Sequence, residues 1–128
     1  MNVYQNDQEL FQLMKAELFT AVVGDVLDAA GYTRQFLPPQ IKALDPTMMV
    51  AGRAMPVLEA DCYGDQKQPF GLMFEALDAL KTNEVYICTG SSPTYALWGE
   101  LMSTRAIKLG AAGAVLDGYS RDTHGILR

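Results

Sequence analysis

The segment covering residues 95–118 constrains the fold more than any other part of this sequence. The apolar spacing of residues 95–109 predicts a helix that ends at Gly110. Only two residues after that glycine, a run of small and branched apolar residues at 113–118 indicates a buried strand closed by a second glycine. A helix followed so closely by a buried strand is the unit from which α/β domains are built.

The same alternation continues through the rest of the chain, which therefore predicts a single α/β domain over residues 1–128. Asn6 or Asp7 is the expected cap of the first helix, Thr20 is a plausible cap of the second, and Gly31 is its stop signal. The remaining expected elements are helices at 7–19, 20–30 and 70–80, the beginning of a strand at 41–44, an irregular strand at 48–58, a strand at 84–88, and loops at 61–69 and 89–94.

Composition excludes several classes of partner. Ten basic against fifteen acidic residues give a net charge of −5, and no Lys/Arg cluster could follow a phosphate backbone, so neither nucleic acid nor an anionic membrane is an expected partner. No apolar stretch is long enough to span a bilayer, and residues 1–9 lack the pattern of a signal peptide. Cys62 and Cys88 form no CxxC pair, which favours reduced structural thiols in a cytoplasmic protein over a zinc site.

Familiar catalytic motifs are absent from the sequence. There is no GxxxxGK[ST] loop, and the glycines at 110, 113 and 118 do not form the GxGxxG turn of dinucleotide-binding proteins. The Gly90-Ser91-Ser92 segment does not complete a GxSxG elbow, and His124 is the single histidine that could serve as a base. A nucleotide cofactor and a Ser-His-Asp hydrolase are therefore both disfavoured.

Two short polar clusters remain, one at Gly99-Glu100 and one at Ser120-Arg121-Asp122, directly after the predicted strand at 113–118. Turns at strand ends commonly carry functional residues. An aspartate can hold a hard cation while a neighbouring guanidinium polarises a carbonyl, so this pair suits a small anionic oxygen ligand. Taken alone, the residues leave a second interpretation open, a solvated surface ion pair of little energetic value.

A longer pattern surrounds these clusters. The sequences WGELMSTRA at 98–106 and LGAAGAVLDGYSRD at 109–122 resemble the signature of the 4-hydroxy-4-methyl-2-oxoglutarate aldolase and ribonuclease E activity regulator-like superfamily. Upstream, TAVVGDVLD at 20–28 and VAGRA at 50–54 are similar to its first helix and its entry strand. The resemblance implies an α/β fold of the three-layer β/β/α swivelling type, with helices on a mixed sheet and with the C-terminal part of the family fold missing from this chain.

The resemblance also implies a role for each residue of the two clusters. Asp122 would be the protein ligand to Mg²⁺ or Mn²⁺, with water completing much of the coordination shell. Arg121 would contact the keto oxygen of the substrate and carry part of the enolate charge. Gly99 at the start of a helix would belong to the substrate-binding segment, and the backbone amides of Leu101 and Met102 would hold the carboxylate of the substrate. The acidic position is occupied by Glu100, which would orient water at the metal and assist proton transfer.

The activity implied by the resemblance is that of a divalent-metal-dependent class II pyruvate aldolase or oxaloacetate decarboxylase. Its substrate would be a small 2-keto acid such as 4-hydroxy-4-methyl-2-oxoglutarate, cleaved through pyruvate enolate. The resemblance further implies a homo-oligomer, a trimer or hexamer, with the site between subunits. The alternative is a non-catalytic, protein-binding regulator of the ribonuclease E type, and Asp122 favours the enzyme because such regulators typically lack the metal aspartate.

Overall fold

The structure is a computed structural model that describes residues 3–128; Met1 and Asn2, part of the domain predicted over 1–128, lie outside the described residues. Helices alternate with strands along these residues, which confirms the α/β class. The elements are α1 (Asp7–Glu17), α2 (Thr20–Ala29), β1 (Arg53–Leu58), α3 (Met73–Asp78), β2 (Glu84–Thr89), β3 (Ala96–Trp98), α4 (Glu100–Leu109), β4 (Gly113–Leu116), β5 (Tyr119–Ser120) and α5 (Thr123–Ile126).

Local capping signals determine where the first two helices begin and end. The Asn6 side chain accepts a hydrogen bond from the Glu9 amide at 2.9 Å, so Asn6 is the cap of α1. The prediction that Thr20 caps α2 was wrong, because Thr20 already lies inside the helix and Phe19 occupies the cap position without a side-chain hydrogen bond. Gly31 follows α2 with a φ of 88°, a left-handed conformation that favours glycine and stops the helix as predicted.

A parallel sheet in the order β1-β2-β4 forms the centre of the described residues. Arg53 pairs with Glu84 at the start of β1 and β2, and Val85 pairs with Gly113 where β4 joins. Every described strand pair is parallel, where a mixed sheet was expected. Parallel neighbours need a long crossover, and here α3 lies between β1 and β2 and α4 between β2 and β4.

A second, two-stranded sheet consists of β3 and β5. The helix predicted at 95–109 is therefore wrong over its first turn: Ala96–Trp98 is a strand, and the helix begins only at Glu100. The reason is tertiary, because Ala96 pairs with Tyr119 and Trp98 with Ser120. Pairing with a strand more than twenty residues away in the sequence thus overrides the local preference of residues 96–98 for a helix.

Three other predicted elements are shorter than expected or absent. Residues 41–44 form no strand, and the strand predicted at 48–58 begins only at Arg53, where pairing with β2 starts. The helix predicted at 70–80 covers only Met73–Asp78. Gly71, together with Phe70 at a φ of 65°, holds the backbone in the left-handed region just before it, so the helix cannot extend further back.

The hydrophobic core lies between the central sheet and the pair α3 and α4. Tyr86 and Cys88 on β2 are fully buried, and the Tyr86 ring lies 5.1 Å from the Trp98 ring between centroids. That aromatic contact joins the central sheet to β3. The other members of the core are Leu77, Leu80, Leu97, Met102 and Ala106. No helix within residues 3–128 is long and apolar enough to cross a membrane.

Candidate functional site

Helix α4 begins with a glycine that leaves its first amides open. Gly99 is the cap residue, with an extended φ of −157° and no side chain to bond the first turn. The first helical hydrogen bond runs from the Ser103 amide to the Gly99 carbonyl at 3.0 Å. The amides of Leu101 and Met102 precede it, and neither has an acceptor among the described residues. These are the amides predicted to hold a substrate carboxylate, and a helix N-terminus suits that anion.

The short β3–β5 sheet carries the Arg121-Asp122 pair to this helix start. The pairing continues one residue beyond β5, where the Arg121 amide donates to the Trp98 carbonyl at 2.9 Å. Trp98 directly precedes Gly99. The register of two small strands thus brings together two clusters that lie about twenty residues apart in the sequence.

Asp122 has an unusual backbone conformation. Its φ of 59° and ψ of 32° are left-handed, a region that aspartate tolerates better than most residues. The turn ends β5 and starts α5, because the Asp122 carbonyl accepts the amides of Gly125 at 2.8 Å and Ile126 at 3.1 Å. Backbone strain of this kind is often found at functional sites.

Gly99 is in close contact with the Asp122 carboxylate. A Cβ placed on Gly99 would lie 2.9 Å from Asp122 Oδ2 and 3.3 Å from Arg121 Cγ. The extended backbone at Gly99 would accept any residue, so a larger residue is opposed only by the neighbouring side chains, which would have to shift. The glycine predicted to bind substrate is therefore placed where it lets the Asp122 carboxylate lie against the start of α4.

The arginine and aspartate form an open pair. Arg121 Nε donates to Asp122 Oδ2 at 3.2 Å, and the two side chains are 73% and 42% exposed. Such an exposed pair stabilises a fold little. Its guanidinium still has N–H groups facing solvent and its carboxylate still has free lone pairs, so both remain able to bind a ligand.

Glu100 is the first residue of α4, and its carboxylate lies against Gly125 of α5. A Cβ on Gly125 would overlap with the Glu100 carboxyl group. Five of the predicted site residues, Gly99, Glu100, Leu101, Met102 and Asp122, are thus gathered where α4 and α5 begin, with Arg121 beside them. The sequence did not single out Gly125, although a glycine in the turn after Arg121-Asp122 was a visible signal.

The side chains of Trp98 and Asp117 make contacts that hold the fold together. Trp98 is buried beneath α4, and its indole N–H donates to Ser103 Oγ at 2.7 Å. Asp117 accepts a hydrogen bond from Thr89 Oγ1 at 2.9 Å, which connects the ends of β4 and β2. Both residues help to fix the elements that carry the site.

Asp122 is the carboxylate that the sequence predicts as the metal ligand. Within residues 3–128, no group of three or more His, Cys, Asp or Glu side chains could hold a metal ion. A site with one carboxylate suits Mg²⁺ or Mn²⁺, since magnesium keeps several waters and binds through one or two carboxylates plus oxygens of the substrate. The residues present therefore fit a hydrated ion on Asp122.

A cavity of about 510 Å³ lies beside α4 and β4, apart from the Arg121-Asp122 pair. Its lining is mainly apolar and comes from the 37–48 loop, α4, β4 and Ile126, with Trp98 and Ser120 at its wall. Glu100, Arg121 and Asp122 are not among the lining residues. Because the Arg121 and Asp122 side chains are exposed, the candidate site is an open surface where α4 and α5 begin.

The fold and the site together define an α/β protein in which an Arg-Asp turn lies beside the uncapped start of a helix. Residues 20–128 match the RraA-like family, described as Aldolase/RraA, and the chain belongs to this family. None of the curated proteins matches the sequence.

Solved structures have the same fold. The chain is 28% identical, with a TM-score of 0.81, to a structure described as one of the novel cellulases from microbes associated with the gut ecosystem, covering 99% of this chain and 57% of that one. Streptomyces coelicolor RraAS2, an unusual member of the RNase ES inhibitor RraA protein family, is 21% identical with a TM-score of 0.77, covering 98% and 60% of the respective chains.

The RNA-processing inhibitor RraA from Thermus thermophilis is 26% identical with a TM-score of 0.64, covering 86% of this chain and 61% of that protein. The present chain thus spans 57–61% of the length of these three structures.

Proposed function

We propose that this chain carries part of the site of a divalent-metal-dependent pyruvate aldolase or oxaloacetate decarboxylase acting on small 2-keto acids such as 4-hydroxy-4-methyl-2-oxoglutarate. The observation that supports it most is the contact of the Asp122 carboxylate with Gly99, which brings an anion-binding helix start and an Arg-Asp pair together. Membership of the Aldolase/RraA family supports the same chemistry.

The open amides of α4 bind the substrate. A 2-keto acid presents a carboxylate beside a keto oxygen, and the Leu101 and Met102 N–H groups with the positive end of the helix dipole would hold the carboxylate. The Arg121 guanidinium, with N–H groups free beyond its bond to Asp122, would donate to the keto oxygen. Binding through both groups orients the bond to be broken.

Bond cleavage leaves a negative charge that the site must stabilise. When 4-hydroxy-4-methyl-2-oxoglutarate is cleaved, its C4 hydroxyl loses a proton, the C3–C4 bond breaks, and the electron pair of that bond forms pyruvate enolate. When oxaloacetate is decarboxylated, the electron pair of the enolate comes from the bond to the departing CO₂. Donors already in place for that charge give the largest catalytic contribution in reactions of this type, and Arg121 supplies them here. A bound Mg²⁺ or Mn²⁺ would supply further positive charge at the same oxygens.

Glu100 is the residue that would move protons. It would assist removal of the C4 hydroxyl proton through water, and return a proton to C3 of the enolate to release pyruvate. Its position at the first residue of α4 places it next to the amides that bind the substrate. No lysine Schiff base is needed, because Arg121 and a bound cation would carry the charge.

A second candidate function is a non-catalytic, protein-binding regulator of the ribonuclease E type. It is favoured by the structural similarity to the RNA-processing inhibitor RraA from Thermus thermophilis. The Arg121-Asp122 pair favours the enzyme, because a protein-binding surface has no need of a carboxylate placed beside Gly99, the cap residue of α4.

We also propose a homo-oligomer, a trimer or hexamer, in which a neighbouring subunit covers the site. The exposure of Arg121, at 73%, supports this, since catalytic charges act most strongly where water is excluded. Light scattering measures the molar mass in solution, and a mass equal to that of one chain would contradict the proposed oligomer.

The experiment that tests the activity uses the full-length protein, with oxaloacetate or 4-hydroxy-4-methyl-2-oxoglutarate and Mg²⁺, and measures pyruvate release. Mg²⁺ alone, without protein, gives the background rate for oxaloacetate. Asp122→Ala is expected to abolish release, while Asp65→Ala, the same change in an exposed loop, is expected to leave it unchanged. Pyruvate release that survives Asp122→Ala, or a wild-type protein that releases none, would contradict the proposal.

A further inference from the structure

Gly125 lies at a position where local structure does not require glycine. It is the third residue of α5, and its φ is not in the left-handed region where glycine is favoured. Within a helix, glycine is less favourable than alanine by about 1 kcal/mol. The reason for a glycine at this position therefore lies in what surrounds it and not in the helix itself.

The surroundings of Gly125 supply that reason. A Cβ placed there would have Cδ, Oε2 and Oε1 of Glu100 as its three nearest neighbours, with Oε1 at 2.8 Å and the other two closer. No backbone atom is among them. The space that a side chain at position 125 would fill is therefore occupied by the carboxylate of Glu100.

This contact lies one helical turn from the Arg121-Asp122 pair. The Gly125 amide donates to the Asp122 carbonyl at 2.8 Å, so Gly125 has a fixed position relative to Asp122. On the other helix, Gly99 contacts the Asp122 carboxylate, and Glu100 is the next residue. The two glycines thus let two carboxylates approach the junction of α4 and α5 from opposite elements.

We infer that Gly125 is a positioning residue: its missing side chain lets the Glu100 carboxylate lie on α5 next to the Arg121-Asp122 turn. The catalytic consequence rests on the proposed function, in which Glu100 moves protons. The contact also depends on side-chain length, because an aspartate at position 100 is one methylene shorter and would not reach position 125 in the same way.

The inference predicts that stability and activity respond differently to Gly125→Ala. The atoms that would overlap are the far end of a flexible side chain, so Glu100 can rotate away at little cost, while α5 gains the higher helix propensity of alanine. The melting temperature of the full-length protein is therefore expected to stay the same or rise. At the same time, the displaced Glu100 loses its place in proton transfer.

Kinetics of pyruvate release separate this role from a structural one. Gly125→Ala is expected to lower kcat by at least about tenfold, because a misplaced general acid or base forfeits part of a contribution of that order or larger. KM is expected to change little, since the Leu101 and Met102 amides are untouched. Thr123→Ala, a change two residues earlier in the same helix, is the matched control and is expected to keep both constants and the melting temperature.

A double-mutant comparison tests the contact itself. In a Glu100→Asp background the shorter carboxylate no longer fills the space at position 125, so adding Gly125→Ala is expected to lower kcat no further. A full additional loss in the double variant would overturn the inference, as would activity and melting temperature that fall together in Gly125→Ala.

A crystal structure of full-length Gly125→Ala decides the positioning without reference to activity. The Glu100 carboxylate is expected in a different rotamer, away from position 125, and an unchanged carboxylate would overturn the inference. If the wild-type protein releases no pyruvate, the proposed function fails, and this structure still shows whether Gly125 positions Glu100.

Discussion

The main-chain carbonyl of Trp98 accepts a hydrogen bond from the amide of Arg121 at 2.9 Å. This bond is the last of the β3–β5 pairing, and it lies one residue before Gly99 on one side and one residue before Asp122 on the other. The two motifs of the candidate site are therefore held together through the backbone. Their side chains remain free for chemistry, as the exposed Arg121 and Asp122 show.

Replacing Gly99 by alanine is expected to reduce activity without unfolding the protein. The new Cβ would lie 2.9 Å from Asp122 Oδ2, closer than such atoms normally approach, so the carboxylate must shift. A displaced ligand of this kind is expected to lower kcat/KM for pyruvate release by at least about tenfold, since small misplacements in an active site are costly.

The control for this change is Gly64→Ala in an exposed loop, where no atom lies within 4 Å of the added Cβ, although the φ of 85° strains the new residue locally. It is expected to leave kcat/KM unchanged. Equal activities of the wild-type protein and Gly99→Ala would show that the contact between Gly99 and Asp122 has no catalytic importance.

The sequence predicts those parts of the fold that local chemistry determines. Asn6 caps α1 through its own side chain, and Gly110 ends α4 in a left-handed conformation with a φ of 79°, so both ends were visible in the sequence. Strands β3 and β5 were not, because residues 96–98 and 119–120 have too little local signal and form only by pairing with each other.

The sequence likewise predicts only part of the candidate site. The motif resemblance predicted which residues belong to it, including Glu100 and Asp122, but not how they meet. The approach of Asp122 to Gly99 follows from the β3–β5 register, and that of Glu100 to Gly125 follows from a helix that the sequence did not indicate. Contacts between distant segments depend on tertiary packing, which residue spacing alone does not encode.

Tyr86→Phe is expected to destabilise the protein by about 1 kcal/mol, the usual net value of a buried hydrogen bond. Tyr86 is fully buried, and its hydroxyl donates to Glu59 Oε1 at 2.9 Å, so the change leaves that carboxylate without this donor. Burial, with the nearby Glu59 charge, also raises the pKa of Tyr86, which keeps the hydroxyl protonated as a donor at high pH. Urea unfolding of both proteins measures the difference.

The matched control is Tyr63→Phe, since Tyr63 is 76% exposed and its hydroxyl bonds Asp61 at the surface. It is expected to change the free energy of unfolding by less than about 0.5 kcal/mol. Equal effects of the two substitutions would contradict the assigned role of the Tyr86 hydroxyl in the core.

The ion pair between Asp7 and Arg53 predicts a pH dependence of stability. Arg53 Nη2 lies 2.8 Å from Asp7 Oδ1, and this hydrogen bonding lowers the pKa of Asp7 below its ordinary value of 3.8. A lowered pKa in the folded state contributes stability that is present above 3.8 and is lost as the pH falls through the folded value. The pair is exposed, so the effect is small and is screened by salt.

The measurement compares the melting temperatures of wild type and Asp7→Asn across this range. The wild type is expected to be the more stable at pH 6 and the two proteins are expected to converge in acid. Arg53→Gln is expected to give the same loss, and the double variant no more than either single change. A difference that persists undiminished in acid would exclude the ion pair as its cause.

The two cysteines are expected to differ sharply in reactivity. Cys88 is 1% exposed on β2, and burial, followed by the nearby Glu59 charge, raises the pKa of its thiol to about 12, whereas Cys62 is exposed in a loop. Since the thiolate is the reactive form, iodoacetamide at pH 8 is expected to modify Cys62 in the folded protein and Cys88 only after unfolding in denaturant. Mass spectrometry of the modified peptides identifies each site. Cys62→Ser is expected to remove the rapid modification completely, and alkylation of Cys88 at a comparable rate in the folded state would show that β2 is accessible to the reagent.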